Sequence, residues 1–412
     1  MVRTVYSPEY CLQYLEQYAS RESFVSGLIL VNQSKARENV IHLARTPEEK
    51  SDTDSEQSYT SEKTPIKNLS GVSEAWVADH AKHVTRMLPG GMFVMGIFIV
   101  SEGDIFEDPT SFSKAKTILN YTHKVLSSNQ YMYGNYPHSN ERLVLHMSTS
   151  TKVLTCKSLE VGAPKTIIKP VEWKFLSKPQ QWQRLDCYYD FDEVYPVIVK
   201  QKGISVKQQF QVIVIKKLTA IIIIFYMYFC NMIYHIKKKK PKSSKNAQDA
   251  PKSMHASLFV PYVSIIFFCI IFLLLLQENS MPETVEYLEC DGNIHFSGVV
   301  SSSVFMYPKA TINETIAAVK QDIVRSLASR FTMHCDALID DNLLPEEKVC
   351  FNEPPRRVLV PVGSLYLCDY LFPGESPAEA LLSVRELLDL QLTETDVICD
   401  VETPAGIVKL IF

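Results

Sequence analysis

The stretch that most constrains this chain runs from Asp79 to Val100, DHAKHVTRMLPGGMFVMGIFIV. It reads as the end of a helix, a tight turn and a strand that is apolar on both faces. From Ser73 the residues Trp76, Val77, His80, Ala81, Val84, Met87 and Leu88 recur at helical spacing, so one face of that helix needs a surface to pack on. Pro89, Gly90 and Gly91 end it, because proline pre-sets a turn and glycine accepts positive φ. Met92 to Val100 then predicts a central strand covered on both sides, with Val94, Ile97, Ile99 and Val100 β-branched. A glycine pair after a proline also suggests a phosphate cradle. Here the glycines precede a strand, whereas phosphate loops open a helix, so the turn is read as structural.

A length of 412 residues allows two ordinary domains or more. Hydrophobic content of 46% and a net charge of -4 describe a folded chain and argue against nucleic acid as a partner. The ten cysteines include no CxxC pair, so neither a zinc ribbon nor a redox couple is indicated. The first residues, MVRTVYSPEYCLQYLEQ, hold no apolar leader, and reduced thiols facing the cytosol are the expectation. Asn32, Asn68, Asn120 and Asn313 open Asn-x-Ser/Thr triplets, which in that compartment are chance matches.

In chain order, Ser7 and Pro8 predict the start of a helix carrying Tyr10, Tyr14, Leu15 and Tyr18 on one face. Phe24 to Val31 predicts a buried strand in which Gly27 allows close backbone approach, and Asn39 to Ala44 pairs back across a polar turn. Residues 46–70 are rich in Ser, Thr, Glu and Lys and predict a mobile surface loop. A second amphipathic helix is expected over Ser113 to Leu126, facing inward through Ala115, Ile118, Leu119, Thr122, Val125 and Leu126. A hairpin of Arg142 to Met147 and Lys152 to Lys157 follows, then a looser segment, Pro164 to Pro179, anchored by Trp173 and Trp182. Helices alternating with a mixed sheet predict an α/β layer domain over about residues 1–205.

Residues 212–280 form a hydrophobic and Lys-rich insertion. Leu218 to Ile236 is long enough to cross a membrane but is interrupted by polar residues, whereas Ala256 to Leu276 is a strong transmembrane candidate without a polar face. Lys237 to Lys252 make a basic loop between them, a feature suited to anionic head groups or to a solvated topogenic flank. A competing reading starts from composition: Val212 to Lys240 holds no Gly, Asp or Glu, as translated non-coding sequence would. Residues 283–412 predict a second, α+β domain. It comprises paired strands at Val285 to Cys290 and Ile294 to Met306, a helix over Asn313 to Arg330 with Ile316, Val319, Ile323 and Leu327 inward, strands meeting at Gly363, and a last helix from Pro377 to Leu390 capped by Ser376.

The element order of the first domain, with its strand SGLIL at Ser26 and Gly27, resembles the MPN (JAB1-like) fold. Catalytic members of that fold carry a zinc motif built on a Glu and a His-x-His pair, and this chain has no His-x-His. His80 and His83 lie one turn apart beside Asp79, but the helix offers no third ligand. A packed His80 and a solvated His83 are the expectation, with no metal, no cofactor and no catalytic residue. Three blocks together resemble the odorant-response-abnormal-protein-four family: Ser23 to Val31, Arg86 to Val100 and Arg357 to Ala380. The residues that carry the resemblance are Ser26, Gly27, Leu88, Pro89, Gly90, Gly91, Gly96, Pro361, Gly363, Cys368, Asp369 and Tyr370, read as structural. The resemblance implies a membrane-associated, non-enzymatic adaptor needed for maturation and trafficking of a subset of G-protein-coupled receptors. The alternative it implies is an endoplasmic-reticulum adaptor that recruits the protease processing the ubiquitin-fold modifier. Family members usually end in a C-terminal anchor, whereas this sequence carries its apolar pair in the middle.

Overall fold

The computed structural model describes residues 3–35, 37–49, 66, 68–133, 140–162, 167–197, 254–257, 292–340, 354–402 and 410–411. The chain is mixed α+β. Seven strands close into a barrel in the order β1 (Arg3–Pro8), β3 (Glu38–Arg45), β2 (Phe24–Gln33), β4 (Met92–Ser101), β5 (Glu141–Ser148), β6 (Leu154–Glu160) and β7 (Ile168–Leu176). Pairing is mixed: β2 runs antiparallel to β3 and β4, while β4–β5, β1–β3 and β1–β7 are parallel.

The expected layer is therefore a closed sheet, and the two strands that close it were not expected. β1 occupies the place given to the helix start, so Ser7 is a buried strand residue and Pro8 caps α1 (Glu9–Arg21) without a side-chain hydrogen bond. The buried face of α1 is Cys11, Leu15 and Ala19, rotated from the expected tyrosine face because those tyrosines reach sideways for polar partners. β7 replaces the looser segment after Pro164. Its pattern hides it, since only Val171 is buried along nine residues. Trp173 and Trp182 do pack against the core.

The opening stretch folds as its pattern requires. α2 (Glu74–Met87) is capped by Ser73, whose hydroxyl accepts from the Trp76 amide, a contact worth about 1 kcal/mol. It buries Val77, His80, Ala81, Val84 and Met87. Every residue of β4 except Ser101 is buried. Phe93, Met95, Phe98 and Val100 join a cluster with α1 to which all seven barrel strands contribute. Met92, Val94, Ile97 and Ile99 join a second cluster with α2, α3 (Pro109–Ser127) and the later part of the chain. Glycines permit the closest approaches in this sheet: a Cβ at Gly27 would meet the Ala44 carbonyl oxygen at 2.3 Å, and one at Gly96 the Leu143 carbonyl oxygen at 2.0 Å. α3 starts four residues before its expected beginning, at Pro109, because the Asp108 carboxylate caps the Thr110 and Ser111 amides.

After a short helix α4 (Gln130–Tyr133) and the barrel strands, β8 (Gln183–Val197) leads out of the barrel. It pairs over its whole length with β10 (Gly292–Met306), from Gln183 opposite Met306 to Val197 opposite Gly292. β9 (Met254–Ser257) lies parallel on the other side of β8, and β13 (Leu410–Ile411) pairs with β10. The strand expected near Ile294 to Met306 is therefore present with β8 as its partner; Val285 to Cys290 lies outside the described residues. α5 (Ile312–Asp340) runs ten residues beyond its expected end. β11 (Arg356–Val362) and β12 (Leu365–Leu371) form the hairpin expected around Gly363, and α6 (Pro377–Leu388) follows. Ser376 sits at the N-cap of α6 but makes no side-chain cap bond. Residues of α5, β10, β11, β12 and α6 share one hydrophobic cluster with β2, β4, α2 and α3.

Leu218 to Ile236 and Lys237 to Lys252 lie outside the described residues, as does Ala256 to Leu276 apart from Ala256 and Ser257, which belong to β9. Among the described residues no helix is long and apolar enough to cross a membrane. Most of the expected loop at 46–70 also lies outside them. Its last residues are fixed, with Leu69 opening a 3-10 turn and 3% exposed.

Candidate functional site

The residues of the LPGG turn and of the β11–β12 hairpin, far apart in sequence, meet on one face of α5. Gly90 lies against that helix: a Cβ there would stand 1.8 Å from the Ala318 carbonyl oxygen. Its amide donates to Asp322 Oδ1 at 2.9 Å, and the Gly91 amide donates to Gln321 Oε1 at 3.0 Å. Gly91 holds φ at +82°, the left-handed region that a side chain disfavours.

Arg325, one turn further along α5 and 1% exposed, spreads its guanidinium under the same turn. Nη1 donates to the carbonyls of Leu88 at 2.6 Å and Pro89 at 3.2 Å, and Nε to that of Met132 at 3.0 Å. Those carbonyls belong to the ends of α2 and α4. The cation therefore supplies donors where helix C-termini leave acceptors unpaired, in the orientation the helix dipole favours.

Asp322 joins the turn to the hairpin. Its carboxylate accepts from Arg357 Nη1 at 2.6 Å and Nη2 at 2.8 Å, and Arg357 also donates to the Ser301 carbonyl of β10 and to Cys368 Sγ. Burial opposes the Arg357 charge, yet the Asp322 carboxylate beside it holds its pKa well above the ordinary value. Glu402 completes the cluster, accepting from the Ser301 and Arg357 amides and from Arg330. Cys368 is buried and its thiol is pushed up to about 11, which leaves it protonated and unreactive at neutral pH. Burial likewise raises Tyr370 to about 12 and Asp369 to about 6.

The turn, the helix and the hairpin thus use their polar groups on one another, forming a filled internal lock. Of the motif residues, Leu88, Pro89, Gly90, Gly91, Cys368 and Tyr370 line or flank it. Ser26, Gly27 and Gly96 lie apart from it in the barrel sheet, on β2 and β4. Pro361 and Gly363 sit at the hairpin's far end, where Gly363 is exposed with φ +60°.

His80 and His83 differ in burial along their helix. His80 is 3% exposed, its Nε2 donating to the Leu387 carbonyl at 2.8 Å and its Nδ1 facing the Thr46 hydroxyl. Burial lowers its pKa to about 4. His83 is half-buried beside Asp79. Among the described residues no three His, Cys, Asp or Glu side chains come together as a metal would need.

Asp322, Arg325 and Gln321 were not singled out in the sequence. A signal existed, since Asp322 falls three residues after Val319 and one before Ile323, inside the apolar stripe of an amphipathic helix. A charge there is either exposed by a turn of the helix or paired inside the core.

Fold and lock together define a mixed α+β protein whose motif residues hold two distant parts of the chain together. A family model described as ODR4-like, odorant response abnormal 4-like, matches residues 27–399, and the chain belongs to that family. The "Protein odr-4 homolog" of Mus musculus is 28% identical, covering 98% of this chain and 87% of that one. Those of Drosophila melanogaster and Homo sapiens are each 27% identical, covering 95% and 94% of this chain and 85% and 84% of theirs. Among solved structures, UfSP from C. elegans overlays with a TM-score of 0.44 at 8% identity, over 94% of this chain and 57% of that one. A score that low assigns neither fold type nor activity to this chain.

Proposed function

We propose that this chain is a non-enzymatic, membrane-associated adaptor acting in the maturation and trafficking of a subset of G-protein-coupled receptors. The reading rests on membership of the ODR4-like family. The observation that carries its non-enzymatic part is the lock: the motif residues around Gly90 and Cys368 turn their polar groups inward, onto Asp322 and Arg357. A reaction site needs a nucleophile and base, or a metal set, facing a space that a substrate enters. The barrel with its flanking helices then serves as an MPN-like scaffold without zinc ligands, with residues 1–205 and 283–412 as its two folded parts. Attachment to membranes, with the N-terminal part facing the cytosol, would come from the apolar insertion at 212–280 seated in one leaflet without crossing it.

Affinity capture of the tagged chain from detergent-solubilised membranes, with mass spectrometry, tests the reading. Receptor clients among the captured proteins are the expected outcome. Capture of the protease for the ubiquitin-fold modifier in their place would move the function to an endoplasmic-reticulum recruiter. Stoichiometric zinc retained through purification, with isopeptidase activity, would overturn the adaptor.

A further inference from the structure

We infer that Arg37, its guanidinium clamped between the rings of Tyr6 and Tyr307, is a docking point for a carboxylate on an acidic peptide segment of a protein partner; this deepens the adaptor reading and rests on it. Arg37 closes the turn between β2 and β3. Its Cζ stands 3.6 Å from the ring centroid of Tyr6, on β1, and 5.5 Å from that of Tyr307, just past the end of β10. The backbone beneath is held as well. The Arg37 amide donates to the Ser34 carbonyl at 3.2 Å, and the Arg37 carbonyl accepts from the Ser34 amide at 3.1 Å and from its hydroxyl at 3.0 Å. A planar fork fixed in advance by aromatic faces loses little freedom when it takes a carboxylate.

What the fold does not supply is the anion. Among the described residues none accepts a hydrogen bond from the Arg37 guanidinium or forms an ion pair with it. Nε is shut off from water, whereas Nη1 and Nη2 are not, so the two ends of the fork stay open to a ligand. The acids that border the turn are already engaged. Glu38 accepts from Arg3 and Gln33, and Glu314 from the Lys35 amide and from the amide and hydroxyl of Thr311. A half-buried cation without acceptors is costly, and a charge-assisted pair at the open end of the fork offsets that cost.

Charge narrows the occupant further. Lys35 in the same turn and Lys309, two residues past Tyr307, are both exposed and add two cations beside the clamp. A peptide with several acids meets all three, as arginine clusters do in recognising acidic motifs. A continuous anionic surface such as a lipid face fits less well, because it would also press against Glu38 and Glu314. A peptide brings its carboxylates singly and spares them that contact.

Fluorescence anisotropy on the full-length chain tests this, with a labelled peptide of Glu, Asp and Gly residues and a control in which Gln and Asn replace the acids. We expect the acidic peptide alone to bind, and more weakly as salt rises. Arg37→Gln should lose at least tenfold in affinity, and Arg37→Lys should also lose, since it keeps the charge but not the fork. Lys35→Gln combined with Lys309→Gln should lose less than Arg37→Gln. The Tm of Arg37→Gln should stay within about 4 °C of the parent, the range set by losing a cation–π contact; a larger fall would make Arg37 a structural residue and overturn the site. Equal binding by Arg37→Gln, equal binding of the neutral peptide, or no binding of the acidic one would overturn it too. So would Arg37-dependent binding to vesicles of phosphatidylcholine and phosphatidylserine in place of the peptide, which would assign the clamp to lipid. Membrane partners that stay bound to Arg37→Gln would overturn the site and leave the adaptor standing. A parent chain that captures no partner at all would overturn the adaptor itself, and the docking role with it.

Discussion

Arg357 and Asp322 face each other through two hydrogen bonds of 2.6 and 2.8 Å, with side chains 2% and 0% exposed, and tie the β11–β12 hairpin to α5. Removing one partner of such a pair strands the other charge without water. Arg357→Ala or Asp322→Ala is expected to lower stability by about 3–5 kcal/mol in denaturant titration. Arg357→Ala combined with Asp322→Ala should lose clearly less than the sum of the two single losses. Additivity to within about 0.5 kcal/mol would mean that the pair contributes no coupling.

The two glycines of the turn answer to different constraints. Gly91→Ala meets the left-handed φ of +82° and should cost about 1 kcal/mol. Gly90→Ala drives a methyl group into the backbone of α5, where the nearest atom is the Ala318 carbonyl oxygen at 1.8 Å, and should cost more, about 2–3 kcal/mol. Thermal unfolding of the two variants side by side checks the order; a Gly90→Ala protein as stable as the parent would remove the close approach.

His80 makes the fold sensitive to acid. Burial holds its pKa near 4 in the folded chain, against an ordinary value of about 6.5 once unfolded. Below pH 6.5 the unfolded chain takes up the proton first, so stability is full above that pH and falls as pH drops toward 4, by up to about 3 kcal/mol. His80→Gln keeps a donor for the Leu387 carbonyl and should flatten this slope between pH 7 and pH 4.5. An unchanged slope would assign the acid sensitivity to other groups.

Topology follows from strand register. Val197 and Gly292 are paired, and β9 lies on β8, so the chain leaves and re-enters the fold at one place. A lone crossing by Ala256 to Leu276 would carry β10 away from β8, and a crossing hairpin would carry off β9. Asn68 and Asn313, both exposed, should therefore report the same side of any membrane in glycosidase assays. Asn32 cannot report, because it is fully buried and donates to the Phe305 carbonyl. A glycan on Asn313 with an unmodified, protected Asn68 would break the predicted pairing.

Sequence alone determined the elements whose apolar pattern is complete within a few residues. α2 was legible from its stripe and the Pro-Gly-Gly stop, and β4 from its nearly unbroken apolar run, because each is dictated by contacts at short range. The burial of His80 followed from the same periodicity, whereas His83, expected in solvent, is half-buried. β1 and β7 were not legible, since most of their residues remain half-exposed or exposed and each is stabilised by pairing with the other, Arg3 opposite Val171, across most of the barrel domain. The lock was beyond the sequence for the same reason. Nothing local to Gly90 names Asp322, nothing local to Asp322 names Arg357, and a charge takes a buried place only when tertiary packing brings its partner there.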